Sequence, residues 1–341
     1  MDHQIDIKSR DPIYKQLVSQ IEREVREGRL SPGEALPSMS DLAARLGISK
    51  ETVKKAYGVL TDKEMIIPQQ GKGFFVADLS KTLRPRVLLL FDKISDYKQI
   101  LFNAFTRRLG EEAEITNLVH NQSLSQLEIF LDSYLDQYDF YVLTPHFPLD
   151  RKSQARAVRQ MARIPNRKLI LLDHLQPGYQ GNYGAVYQDF ENDIYDGLLQ
   201  GLDDLRKVRN LQVVTMPQSL YGSLVRKGVK RFTDEFGIPV RFMTAIPEII
   251  HPGETYLLLN SQLDAGIVEL SRKIRRAGLS IGEDVKIISY NEIDMNEVIL
   301  DGLTTVSTDF REMGRLSAEM ILSRKMTKIH CPFRMNRRHT F

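Results

Sequence analysis

Four charged residues open the stretch "ISKETVKKAYGVL". Lys50, Glu51, Lys54 and Lys55 stand away from Val53, Ala56, Tyr57 and Leu60, which recur at i, i+3, i+4 and i+7 and therefore share one helix face. Ammonium groups on the outer face of a short helix are suited to meeting phosphate, and Ser49 and Thr52 beside them add hydroxyl groups. An exposed charged face is also what any solvated helix shows, and Glu51 with Lys55 is a surface pair worth only a few tenths of a kcal/mol. The neighbouring residues decide between the two. A little further on, "QQGKGF" sets Lys72 between Gly71 and Gly73, where glycine lets a backbone come close to a groove while the lysine meets phosphate.

Other kinds of chemistry lack their residues. The tip "GKGF" does not have the GxxxxGK[ST] spacing of a phosphate loop. None of the seven histidines pairs at HxxH or HxxxH spacing and there is no CxxC, so no metal site is expected. No GxSxG elbow supplies a nucleophile. Asp173-His174 is an acid–imidazole pair without one, which reads as ligand contact or loop rather than catalysis. No cofactor is expected, and the chain does not read as an enzyme.

A second constellation lies where apolar, strand-like runs end. Asp92, Lys93, Phe147, Asp173, His174, Gln188, Asp189, Asn260, Gln262, Asn291 and Glu292 all follow such runs. In open α/β sheets, ligands bind beyond the carboxyl ends of the strands. Asp, Asn, Gln and Glu side chains each hold two neighbouring hydroxyls, and Tyr97 and Tyr221 offer aromatic covers for an apolar ring face. The set suits a polyhydroxy ligand, although strand-end loops are polar in any protein.

These groups need elements to position them. Asp11 and Pro12 read as N-cap and first residue of a helix carrying Tyr14, Leu17, Ile21 and Val25, closed by Gly28. Ser38 with Asp41 starts a short helix, Gly47 turns the chain, and Ser49 caps the next helix, which is a helix-turn-helix pattern. "MIIPQQGKGFFV" then reads as a β-hairpin with Pro68 on an edge strand, completing a winged-helix layout. From Val87 on, nine runs including "VLLLF", "KLILLD", "TYLLLN" and "VKIISY" alternate with amphipathic helices. That alternation predicts parallel sheets covered on both faces, and nine strands predict two doubly wound lobes. The expected organisation is a winged helix over residues 1–78, a linker over 79–85, and a two-lobed domain over 86–341.

The totals agree. Net charge is only +3, so any nucleic-acid surface must be local. The single Cys331 excludes an internal disulfide framework and fits a reducing compartment. The first residues carry no apolar signal core and no run is long enough to span a membrane, so a soluble cytoplasmic protein is expected.

The ordered series "PIYKQLVSQIEREVREGRLSPGEALPS", "DLAARLGISKETVKKAYGVL" and "GKGFFV" resembles the winged-helix domain of the GntR family of bacterial transcription regulators. The resemblance implies operator DNA as partner, bound as a homodimer on a pseudo-palindromic site. It implies DNA contact through Ser38, Ser40, Ser49, Lys50, Glu51, Thr52, Lys54, Lys55, Gly71, Lys72 and Gly73. The family commonly has Glu-Arg after the Pro-Ser; here Met39 and Ser40 stand there, so a frequent base-contacting arginine is absent.

The rest of the chain resembles the effector domain of the lactose-repressor and periplasmic sugar-binding superfamily, through "YQDF", "SLYGSLVRKGVKRFTDEFGI" and the long segment from "LLLNSQLDAGIVEL" to "SAEMIL". That resemblance implies effector contact at Asp189, Arg226, Asn260 and Asn291, beside Asp92, Tyr97 and Tyr221 from the residue reading. Asn291 stands where an aspartate is usual. The module combination is similar to arabinose-type repressors and Bacteroides-type sugar regulators, which implies a sugar effector such as a deoxyhexose like fucose. The connector "ADLSKTLRPR" does not resemble the hinge helix of the lactose repressor. The expected function is a sugar-controlled DNA-binding regulator, most simply a repressor. Its rivals are the same regulator with a purine or other non-sugar effector, and an enzyme on the α/β lobes with the N-terminal module as a tether.

Overall fold

The structure is a computed structural model and describes residues 5–6, 9, 11–26, 28–78, 84–215, 219–259 and 266–341. The chain divides into two compact units, Met1–Arg84 and Pro85–Phe341.

In the first unit, α1 (Ile13–Arg26), α2 (Met39–Leu46) and α3 (Lys50–Asp62) precede a hairpin of β1 (Ile66–Gln69) and β2 (Gly73–Val76). Caps set the helix starts. The Ser38 hydroxyl accepts the Asp41 amide and the Ser49 hydroxyl accepts the Thr52 amide, each at 3.1 Å. Gly47, at φ 64°, ends α2 in the left-handed conformation that glycine adopts without penalty. Leu17, Ile21, Leu42, Val53, Tyr57 and Leu60 form the shared core. Tyr57 donates its hydroxyl to the Pro37 carbonyl at 2.8 Å and meets the Phe74 ring edge-on at 5.0 Å, which fixes the hairpin against α3. Ala35 bridges Phe75 on the far side of β2, leaving β1, with Pro68, at the edge.

The second unit contains β3 (Arg86–Phe91), β4 (Glu114–Val119), β5 (Phe140–Leu143), β6 (Leu169–Asp173), β7 (Gly184–Tyr187), β8 (Asn210–Val214), β9 (Val240–Met243), β10 (Glu254–Leu258), β11 (Lys286–Tyr290), β12 (Thr304–Thr308), β13 (Lys328–His330) and β14 (Phe333–Asn336). They form two six-stranded sheets, in the orders β13-β7-β6-β5-β3-β4 and β14-β12-β11-β10-β8-β9. All pairings are parallel except β12 with β14. Both faces are covered: Val87 and Leu89 enter one core and Leu88 and Leu90 the other, which is why these strands read as unbroken apolar runs. The nine runs expected from sequence are strands. β12, β13 and β14 were not among them, because "TTVST" carries its burial on threonines and the last two strands are short and mostly polar.

The helices of this unit are α4 (Asp96–Leu109), α5 (Leu124–Tyr134), α6 (Arg151–Met161), α7 (Phe190–Leu199), α8 (Leu202–Leu205), α9 (Gly222–Phe236), α10 (Ile267–Arg276) and α11 (Phe310–Ser323), of which α4, α7, α9 and α11 matter for the site. α4 and α11 pack with the first sheet, α7 and α9 with the second. The chain therefore passes between lobes three times, at Gln188–Asp189, at Thr308–Asp309 and at Cys331–Pro332. Among the described residues, no helix is long and apolar enough to cross a membrane.

Candidate functional site

In the first unit, α3 buries Val53, Ala56, Tyr57 and Leu60 and leaves Lys50, Glu51, Lys54 and Lys55 exposed. The lysines are not equivalent. Lys54 lies 3.7 Å from Glu51 on an open surface, whereas the Lys55 ammonium sits 4.1 Å from the Tyr14 ring centre on α1. A cation held over an aromatic face is partly withdrawn from other partners. Ser38 and Ser49 hydroxyls serve the caps, with Thr52 bonded to Ser49 at 2.7 Å; Ser40 is exposed in the first turn of α2. At the wing, Gly71, Lys72 and Gly73 are exposed, and both glycines have positive φ, 74° and 102°. Arg45, which the sequence reading passed over, is exposed at the end of α2 and acts electrostatically on Tyr57. Its signal was its place in the last turn before the helix-turn-helix glycine.

In the second unit, the order of the first sheet reverses between β3 and β5, the switch point at which such sheets bind ligands. Asp92 follows β3, and Thr144 and His146 follow β5. Asp92 and Thr144 interlock: the Asp92 amide donates to Thr144 Oγ1 at 2.7 Å, and that hydroxyl donates to Asp92 Oδ1 at 3.0 Å. Lys98 of α4, fully buried, places its ammonium 3.0 Å from Asp92 Oδ1 and 2.6 Å from Asp173 Oδ2. His146 lies between the same carboxylates, at 3.3 Å and 3.1 Å. Burial alone pushes the two carboxyls up, but Lys98 and then His146 outweigh it and hold both well below the usual carboxylate range. Burial pulls Lys98 down, and the two carboxylates overcome that and raise it. The result is a paired charge cluster under the switch point. Asp92 Oδ2 and His146 Nε2 are buried with ionic neighbours but no aligned hydrogen bond.

The second lobe covers this cluster with an aromatic ring. Tyr221, at the start of α9, stacks on Phe190 at 4.5 Å and lies 4.9 Å from His146 and 4.6 Å from His174. Tyr97 packs on Phe310 at 4.7 Å. Beside this layer is a cavity of about 250 Å³ with walls from both lobes. Ile100 of α4 and Phe310 of α11 face Glu292 and Asp294 beyond β11 and Arg338 beyond β14 across it. Thr308, also in its wall, connects it to the cluster: Thr308 bonds Gln188, which bonds Asp173.

Of the residues expected to contact an effector, Asp92, Tyr97 and Tyr221 converge on the charge cluster around Lys98 and His146, and none of the three lines the cavity. Asn291 ends β11 at φ 71°, with its side-chain oxygen buried and without a hydrogen-bond partner. Asp189 is partly buried and is engaged otherwise: it caps α7, accepting from the Asn192 amide at 3.4 Å and side chain at 2.6 Å. Arg226 is engaged elsewhere in this structure. It is exposed, with its guanidinium over the Phe242 ring at 4.5 Å. Helical spacing turns its neighbour Val225 inward beside Tyr221 instead. Asn260 and Gln262 lie outside the described residues, as do Leu79 and Leu83 of the connector. Lys98 was missed, yet it left a signal: it falls on the stripe of Leu101, Phe105 and Leu109, a charge at a core position facing strand-end carboxylates.

Comparison with known proteins bears on both units. Residues 13–76 match the profile "Bacterial regulatory proteins, gntR family", and residues 257–335 match "Periplasmic binding protein-like domain". The chain is 35% identical over 79 residues to the HTH-type transcriptional repressor YtrA of Bacillus subtilis, covering 23% of this chain and 61% of that protein. It is 34% identical over 86 residues to the mannosyl-D-glycerate transport/metabolism system repressor MngR of Escherichia coli, covering 25% and 36%. These matches thus span less than two thirds of either relative. Among solved structures, the lac repressor dimer bound to operator and the anti-inducer ONPF aligns with a TM-score of 0.57 at 15% identity, over 77% of this chain and 96% of that one. The Escherichia coli transcriptional repressor ascG aligns at 0.60 and 13% identity, over 76% and 99%. A LacI family regulator from Enterococcus faecium with bound ribose aligns at 0.55 and 21%, over 75% and 98%. At these identities the likeness is one of fold. The chain joins a GntR-family helix-turn-helix domain to a two-lobed periplasmic binding protein-like domain of the lac-repressor fold.

Proposed function

We propose that this protein is an effector-controlled DNA-binding transcription regulator, acting as a homodimeric repressor on a pseudo-palindromic operator, and not an enzyme. The observation that carries the reading is the presence in one chain of a winged helix with exposed Lys50 and Lys54 and a two-lobed unit with a cavity walled by both lobes. α3 is the recognition helix, entering the major groove, with Lys72 of the wing on phosphate. The relatives named as repressors match over this first unit, and structures of the same fold hold an operator or ribose. The first fact supports operator binding, and the second supports a small polyhydroxy effector held between lobes. Closing the lobes on it shifts the two halves of a dimer and respaces the winged domains. A coupling of roughly 1–3 kcal/mol changes operator affinity about 5- to 150-fold.

The test is fluorescence anisotropy of the full chain on DNA from upstream of its own gene, with and without single sugars. Tight binding that is lost or gained on adding one sugar is expected. Absence of sequence-preferring binding under low salt, or turnover of a sugar or nucleotide to product, would refute the reading.

A further inference from the structure

The three segments that pass between the lobes are tied to one another in pairs. Thr308 bonds Gln188, joining the second segment to the first. The Asp309 amide donates to the Pro332 carbonyl at 2.9 Å, joining the second to the third. His330 and Asp193 join the third to the first: Nε2 of the imidazole lies 2.6 Å from Oδ1 of the carboxylate. His330 ends β13 in the first sheet, and Asp193 stands in the first turn of α7 on the second. The contact therefore crosses the hinge, and it belongs to this arrangement of the lobes.

Its two ends have different surroundings. The Asp193 side chain is 1% exposed, and its other oxygen accepts the Asp189 amide at 2.7 Å. The His330 side chain is 46% exposed and lies against the Tyr187 ring at 5.5 Å, so protons enter and leave the pair from solvent through the imidazole. The charges around Asp193 leave His330 as its counter-ion. Asp189, at the start of the same helix, is a second negative charge and works against ionisation. Arg231 of α9 is engaged by Glu191 and Asn192, and Arg334 by Asp309. Lys328, on the same strand as His330, bonds the Gly181 carbonyl and lies over the Tyr183 ring. Tyr290 and Cys331 feel the Asp193 charge and are held uncharged. Among the described residues, no lysine or arginine pairs with Asp193.

A carboxylate buried against a neutral imidazole is an uncompensated charge, and burying it is costly. One added proton removes that charge wherever it settles. Imidazolium with carboxylate and imidazole with carboxylic acid are both neutral pairs, and both keep the hydrogen bond. Burial is the larger cause and pushes the Asp193 carboxyl up to about 6, against His330 and the Asp189 amide. A carboxyl parted from the pair and returned to water titrates near its ordinary 3.8. The joined pair thus holds its proton more tightly than the parted one, and acid favours the joined state.

We infer that Asp193 and His330 form a proton-operated clasp across the hinge, which holds the lobes in this arrangement in mildly acid solution and loosens as the solution turns neutral. The clasp acts on the lobes themselves and needs neither effector nor operator.

The experiment follows the lobes of the full chain by single-molecule energy transfer, with no sugar and no DNA present. Dyes insensitive to pH are attached at Arg159→Cys on α6 and Arg275→Cys on α10, exposed positions on helices that pack against the first and second sheets. Cys331 is buried, with its thiol held well above the usual range, and stays unlabelled. Labelled chain is diluted into unlabelled chain, so that each signal comes from one molecule. With the hinge residues unchanged, the ratio of clasped to parted lobes is expected to rise about fourfold from pH 7.5 to pH 5.5, as proton linkage requires for a carboxyl at about 6 in the clasp and 3.8 in water. Asp193→Asn keeps the size and removes the titration, so its ratio is expected to stay level over that range. His330→Phe keeps a ring on Tyr187 and breaks the clasp, so its ratio is expected to lie below that of the unchanged hinge at both pH values. A ratio for the unchanged hinge that is level, or that falls toward pH 5.5, overturns the inference. An Asp193→Asn chain that keeps the full pH response also overturns it, because the titration then belongs to other groups such as His146. If circular dichroism shows that Asp193→Asn does not fold, His330→Phe decides, and a ratio equal to that of the unchanged hinge overturns the clasp.

Discussion

Thr308 donates its hydroxyl to the amide oxygen of Gln188 at 2.9 Å, and so joins two of the three places where the chain passes between lobes. Gln188 is buried, and its amide nitrogen donates to Asp173, the carboxylate that holds Lys98. One glutamine therefore bonds the charge cluster with one end and a cavity-lining hinge residue with the other. Gln188→Leu keeps similar bulk and breaks both bonds. It should cost about 1–3 kcal/mol of stability, since Thr308 and Asp173 lose a buried partner. It should also shrink the ratio of operator affinities without and with effector, while effector affinity changes little. Anisotropy and calorimetry on the same preparation would check this; an unchanged operator ratio would show that the hinge does not carry the signal through Gln188.

Lys98→Met isolates the charge cluster. The methionine fits the space, but Asp92 and Asp173 would keep their burial and lose their main counter-ion. Breaking such a pair from one side costs about 3–5 kcal/mol. The pH dependence has a definite sign. In the native protein both carboxyls are held low by Lys98, so their contribution is present above the ordinary carboxylate pKa and lost only in strong acid. In the variant, burial pushes them up against His146 alone, so protonation of the carboxyls or of His146 relieves the cost and the deficit should narrow as pH falls from 7 to 5. Melting temperatures of both proteins at the two pH values decide it. A deficit that is constant or grows toward pH 5 would mean that Lys98 acts through packing alone.

The fold was legible where burial and polarity alternate plainly. Val87 to Phe91 reads as a two-face buried strand because every side chain is apolar, and Ser38 and Ser49 announce helices because a hydroxyl before a helical stripe has a capping role. β12 was not legible, since its buried side chains are threonines that satisfy themselves through bonds such as Thr304 Oγ1 to the Arg338 carbonyl. The site was legible by strand ends, which select Asp92 and Asp173 but not their partner: Lys98 belongs to a helix and is brought there by packing. Helical spacing sets what neighbouring residues can reach: Arg226 is exposed over the Phe242 ring, whereas Val225, about 100° around α9, is turned into the core.

His120 should make the second unit acid-sensitive above the carboxylate range. It is fully buried, packs on Phe147 at 4.8 Å, and donates Nε2–H to the Thr144 carbonyl at 3.1 Å. Burial is the main cause that pushes its pKa down to about 4, and burial does the same for His174. A histidine lowered on folding gives stability that is complete above its ordinary value of 6.5 and lost as pH falls toward 4. For His120 the loss by pH 4.5 should be roughly 2–3 kcal/mol. His120→Phe keeps a ring on Phe147 and removes the titration, so its melting temperature should fall less than the wild type's between pH 6.5 and 4.5. Parallel pH profiles for the two proteins would contradict a neutral buried His120.

The proposed DNA-binding surface of α3 and the wing allows an ordered prediction, because its lysines differ in what already holds them. Lys50 and Lys72 are exposed, and Lys54 has only the loose contact with Glu51 at 3.7 Å, an exposed pair that water and salt screen strongly. Lys55 is held over Tyr14. Each lysine that neutralises a phosphate contributes about one unit to the slope of log affinity against log salt. Lys50→Ala, Lys54→Ala and Lys72→Ala should therefore each weaken operator binding and lower that slope by about one unit. Lys55→Ala should lower it by less and should cost some stability instead, because Tyr14 loses its cation. Glu51→Ala should move binding the other way, since it releases Lys54 and removes a negative charge from the groove-facing surface. Salt titrations of the five variants, with circular dichroism to confirm that each is folded, test the order. Equal slopes for Lys50→Ala and wild type would place the DNA on a different face of the unit, and a full-unit loss for Lys55→Ala would show that Tyr14 yields its lysine to phosphate on binding.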